Sequence, residues 1–108
     1  MKTSITSADI DEILAELGPS DISVQTLFRK CTVVSVQLKN GFVITESSAC
    51  VDPANYSQEM GKDICMQRIK DRLWELEGYA LQKELYKDAK MRQMRDAILY
   101  RVVKSKED

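Results

Sequence analysis

At 108 residues, with 44% hydrophobic and 31% charged side chains, the chain has material for one folded domain with a single modest core. A formal net charge of −1 argues against a protein built mainly to coat nucleic acid or an anionic membrane. Histidine is absent, which removes Ser-His-Asp and Cys-His nucleophile systems and the commonest imidazole metal ligand.

The N-terminus, "MKTSITSADIDEILAEL", has early acids and no apolar h-region, so it does not read as a signal peptide. Within it "SADIDEILAELGP" predicts a short amphipathic helix: Ser7 caps it, Ile10, Ile13, Leu14 and Leu17 share a face, and Asp9, Asp11 and Glu12 suit its positive end. Gly18-Pro19 ends it. Ser20 or Asp21 can then cap a brief helical turn toward Leu27 and Phe28.

From Arg29 the hydrophobic period becomes two. "CTVVSVQLK" and "FVITESSACV" flank Asn40-Gly41, a strong hairpin signal because both residues tolerate the positive φ of a type I′ turn. A two-residue turn pairs Lys39 with Phe42 and Cys31 with Cys50. It puts Val34, Val36, Leu38, Val43, Thr45 and Ala49 on the face expected to meet the helices. Val33, Ser35, Gln37, Ile44, Glu46 and Ser48 fall on the other. Cys31, Cys50 and Cys65 are an odd number without close spacing and without a secretion signal; they read as reduced cytoplasmic thiols, and the first two as small buried residues rather than a disulfide. Four thiolates would be needed for a Cys-only zinc site.

"DPANYSQEMG" predicts a turn leading into a helix, with Asp52 or Asn55 as cap and Pro53 at a first helical position. Cys65, Met66, Ile69, Leu73 and Leu76 then form an apolar stripe at helical spacing. Gly78 is expected to end this helix, and "YALQKELYKDAK" to begin another. The tail carries Met91, Met94, Ile98 and Val102 on one side, out of phase with Leu81 and Leu85, which predicts a kink or a separate helix near Asp88–Lys90. From Lys87 to Asp108 seven basic residues (Lys87, Lys90, Arg92, Arg95, Arg101, Lys104, Lys106) face four acids (Asp88, Asp96, Glu107, Asp108). No apolar run approaches the roughly 18 residues needed to cross a bilayer. Internal repeats, low-complexity runs and long flexible linkers are absent from the pattern.

"LKNGF", the "SAC" and "DPANY" of residues 48–56, Glu59 with Gly61, and the "LW" and "LEGY" of residues 73–79 occur in an order and spacing that resembles a family of small accessory proteins of tailed phages and prophages, the gene-49/gene-66 family of N4-like and Shigella phages. The likeness covers roughly residues 5–86. Where that family has Gly-Glu before Ser-Ala-Cys this chain has Glu46-Ser47, and where it often has proline this chain has Glu75. The resemblance implies a phage-encoded origin and a place in the host cytoplasm, and brings no established activity.

Cys50 beside a helix start could serve as a thiolate nucleophile, but no base accompanies it, and a small packing residue is the expected role. Glu75 and Glu77, two apart on a helix, do not converge, so with Glu84 they read as solvated acids. No catalytic, cofactor or metal site is expected. The fold class expected is α+β: an N-terminal helix and a central antiparallel hairpin (about 31–39 and 42–51) packed on two or three C-terminal helices. Residues 1–88 form the domain and 89–108 a basic amphipathic extension. The function expected is non-enzymatic binding of a host protein, inhibiting or modulating it in host takeover or counter-defence, with homo-oligomers through the C-terminal helix as a further expectation and no membrane partner. Partner-binding residues would be Trp74, Tyr79, Met91, Arg92, Met94, Arg95, Ile98, Tyr100 and Arg101. Packing at a helical junction is the expected role of Trp74 and Tyr79, and a partner site follows if both rings are exposed. The alternative is a nucleic-acid-binding accessory factor, with the basic tail on phosphates and Tyr100 stacking a base.

Overall fold

The computed structural model describes residues 1–107, with side chains through Lys104; Lys106, Glu107 and Asp108 of the tail's charges, and the end of the 89–108 extension, lie outside the described side chains. Helix α1 spans Ser7–Ala15 and is capped one residue earlier than expected, by Thr6. The Thr6 hydroxyl accepts from the Asp9 amide at 3.3 Å, and the Asp9 carboxylate accepts from the Thr6 amide at 2.9 Å. Lys2 lies 2.6 Å from the same carboxylate. Its hydrogen bond, followed by that of the Thr6 amide, holds the Asp9 carboxyl below its ordinary range.

A 3-10 turn at Pro19–Asp21 then leads into strand β1, Ile22–Leu27, where a helical turn was expected. Its alternation of Ile22, Val24 and Thr26 with Ser23 and Gln25 is a strand pattern that completes a three-stranded antiparallel sheet with β2 (Cys31–Gln37) and β3 (Val43–Ala49), in the order β1-β2-β3. The β1–β2 turn carries positive φ at two non-glycine residues, Phe28 (53°) and Arg29 (62°), and closes with the Lys30 amide donating to the Leu27 carbonyl at 3.1 Å.

The β2–β3 hairpin corrects the expected register. Leu38 faces Phe42 across a three-residue loop: the Gly41 amide donates to the Leu38 carbonyl at 2.8 Å, and Gly41 takes a φ of 93°. That single-residue shift pairs Gln37 with Val43 and Cys31 with Ala49, not Cys50. Every β3 side chain changes face as a result. Ile44 is buried with Val34, Val36 and Leu38, and Val43, Thr45 and Ala49 point to solvent. All three cysteines are free thiols.

The two or three C-terminal helices are one. Helix α2 runs over Gln58–Glu107, 50 residues, through Gly78 and through Asp88–Lys90 without a break. Ser57, not Asp52 or Asn55, caps its start, accepting from the Met60 amide at 3.2 Å; Asp52 caps the preceding 3-10 turn. An interior glycine costs a helix only about 1 kcal/mol, which neighbouring turns readily carry. Cys65, Ile69 and Leu73 lie fully buried against the inner face of the sheet, joined by Ile10 of α1.

Gly61 is what lets α2 approach. A Cβ at that position would sit 2.1 Å from the Thr32 hydroxyl oxygen, so only glycine fits over the buried Thr32. The Thr32 hydroxyl is 2.8 Å from the Tyr56 hydroxyl, which is in turn 2.7 Å from that of Thr26. The Cys65 thiol donates to the Thr32 carbonyl at 3.7 Å, and burial pushes its pKa up. On the open edge of β3, the Arg68 guanidinium donates to the Ser47 carbonyl. No helix among the described residues is long and apolar enough to cross a membrane.

Candidate functional site

The molecule measures 84 × 27 × 20 Å, and its radius of gyration of 22.5 Å far exceeds the roughly 13 Å of a compact chain this long. The excess is the distal part of α2, which leaves the sheet behind. No glycine or proline follows Gly78, and most of the residues there are strong helix formers. The docked proximal half supplies the nucleus, so the distal turns add by propagation alone.

At about 100° per residue, Met91, Met94, Ile98 and Val102 fall within about 60° of Ile69 viewed down the axis. The distal stripe therefore continues the line that the sheet covers at Cys65, Ile69 and Leu73. Its members are each between 46% and 60% exposed. The expected phase break has a different origin: Leu81 and Leu85 belong to another face, where with Trp74 and Gly78 they line a groove against Thr3, Ser4 and Ile5. The N-terminal segment lies along that second face, and no kink is required.

Of the residues expected to bind a partner, Met91, Met94 and Ile98 come together, with Arg95 beside them in a shallow apolar groove that also includes Leu99. Arg101 flanks the same line. Arg92 lies instead beside Met1, Asp88 and Met91. Trp74 borders the N-terminal groove and is 41% exposed. Tyr79 and Tyr100 are exposed on a different side of α2, and there is no helical junction for Trp74 and Tyr79 to pack. Sequence reading passed over Tyr86, Leu99, Val103 and, at the far end of the sheet, Phe28 and Val51, all exposed. Tyr86 stands seven residues after Tyr79, a spacing readable from the sequence; Phe28 carries no such signal.

Charge divides along the chain: a tail of +3 within a whole of −1 leaves residues 1–86 at −4. No ion pair among the described residues engages a basic group beyond Arg72. Near Cys50 there is a cavity of about 130 Å³ lined by Ala49, Tyr56, Met60, Gly61 and Ile64 among others, and the thiol donates to the Asp52 carbonyl at 3.2 Å. No group of three or more cysteine, aspartate and glutamate side chains among the described residues is placed to hold a metal.

A three-stranded α+β body prolonged by an amphipathic helical arm is the class of protein these features define. The family model for the Phage protein (N4 Gp49/phage Sf6 gene 66) family matches residues 5–85, and the chain belongs to that family. No curated protein and no solved structure gives a match to this chain.

Proposed function

We infer that this phage protein acts by binding, without catalysis of its own, and that it engages a host protein in the host cytoplasm through the distal stripe of α2. One observation carries the reading: Met91, Met94, Ile98 and Val102 prolong the core-facing line of the helix past the sheet and remain uncovered. Exposed apolar residues aligned on one helix face suit insertion into a groove, and methionine adapts to irregular ones. Lys87, Arg95 and Arg101 beside the stripe favour a groove rimmed by acids.

A second copy is the poorer occupant. Continued in heptads, the seam of Met91, Met94 and Ile98 meets Glu84 and Lys87 on one side and Arg101 on the other, so self-pairing would bury charge. Occupying a functional surface of a host enzyme or defence complex is then the expected mode of modulation.

The test is capture from nuclease-treated host lysate by the tagged wild-type chain and by Ile98→Glu, followed by rebinding with the purified host protein. Retention by the wild type and loss in Ile98→Glu is the expected result. Equal retention by both removes the stripe from the interaction.

A further inference from the structure

Another line on α2 is built differently from the apolar stripe. The pentapeptides "YALQK", "YKDAK" and "YRVVK" place Tyr79, Tyr86 and Tyr100 each four residues before a lysine, Lys83, Lys90 and Lys104. The tyrosines stand in heptad register, with Gln93 at the omitted step, so all six side chains share one side of the helix. The rings are 69%, 65% and 68% exposed. This line lies roughly a third of a turn from the Met94–Ile98 stripe, with Arg101 between the two.

The charge on this side is mostly basic. Between Tyr79 and Lys104 the acids are Glu84, Asp88 and Asp96; Glu84 and Asp88 project to the far side of the helix, and Asp96 stands one turn before Tyr100. Lys83, Lys90 and Arg101 have no acid three or four residues away in either direction, the spacing at which a helix neutralises its own charges, whereas Lys104 precedes Glu107 and Asp108 at that spacing. Phosphates would fill that lack. Flat exposed rings interleaved with uncompensated cations are the surface that unpaired bases and their backbone recognise.

We propose that the line Tyr79–Lys83, Tyr86–Lys90, Tyr100–Lys104 binds single-stranded nucleic acid. The rings stack on bases, and the ammonium groups, with Arg101 beside them, meet phosphates. A duplex offers phosphates to the lysines but keeps its base faces within its own stack, so the tyrosines select for unpaired strands. The line is about 38 Å long, enough for several consecutive nucleotides.

Fluorescence anisotropy of the full chain with labelled oligo-dT, oligo-U and a duplex, each about 15 nucleotides long, tests this. Single strands bind, oligo-dT against oligo-U separating DNA from RNA. The log K against log salt slope falls between about −2 and −3, at about −0.7 per phosphate neutralised. Tyr86→Ala lowers affinity about tenfold or more and Tyr86→Phe retains it. Lys90→Gln makes the slope shallower by about 0.7. Circular dichroism confirms that these exposed-site variants keep their helix. Failure to bind at low salt, duplex affinity equal to single-strand affinity, or unchanged binding in Tyr86→Ala each overturns the proposal. Met91→Glu, a change in the apolar stripe with none of Lys83, Lys90, Arg101 or Lys104 three or four residues away, is expected to weaken host-protein capture and leave oligonucleotide binding intact, so the two surfaces fail separately.

Discussion

The two halves of α2 have the same stripe and opposite circumstances. Ile69 and Ile98 stand at nearly the same angle around one helix axis; the first is fully buried and the second 59% exposed. The difference is made by the sheet, which ends before the helix does. An amphipathic pattern in sequence therefore identifies an apolar face without saying what covers it: β2 and β3 do so over the first turns, and over the last the face is exposed.

The most direct way to break the comparison is the same truncation in both halves. Ile69→Ala should cost about 2–5 kcal/mol in urea unfolding, since it empties a packed site. Ile98→Ala should cost less than about 0.5 kcal/mol. Comparable costs would mean that the distal half packs against something in the isolated protein. Next in size, Gly61→Ala forces a methyl into the Thr32 side chain and should destabilise by about 1–3 kcal/mol, read as a lowered thermal midpoint. Gly78, by contrast, has nothing within 4 Å of an added Cβ, so Gly78→Ala should stabilise by about 0.5–1 kcal/mol in the same assay.

The smallest effect is acid sensitivity. The folded-state pKa of Asp9 is lowered, so its contribution is complete above the ordinary carboxylate pKa of about 3.9 and disappears as pH falls through the lowered value. Asp9→Asn should flatten that part of the profile, measured as urea midpoints between about pH 5 and about pH 2.

Much of this was legible. Ile10, Ile13, Leu14 and Leu17 announce α1, the period of two announces β2 and β3, and Cys65, Ile69 and Leu73 give the buried face of α2. Register was harder, because Asn40-Gly41 fits both a two-residue turn and a three-residue loop with glycine as its bulge, and one residue decides the face of all of β3. Strand β1 was missed because the turn after it has Phe28 and Arg29 at positive φ, residues with no turn signature. The single helix was missed because Gly78 reads as a terminator, although a docked helix tolerates it. For the arm, the residues indicate which side is apolar and which is basic, because both follow from helical spacing alone.

The contact between Gly61 and Thr32 also has mechanical meaning. Helix α2 is clamped near one end, and its described distal turns stand away from the sheet, so it behaves as a lever whose fulcrum is the sheet. From Leu73 to Tyr100 is about 40 Å, and a tilt of about 5° at the clamp displaces the far tip by about 3.5 Å. A methyl group at residue 61 would thus be felt as a misplaced tip, and a load on the tip would be transmitted back, with mechanical advantage, to the Thr26–Tyr56–Thr32 hydroxyl chain.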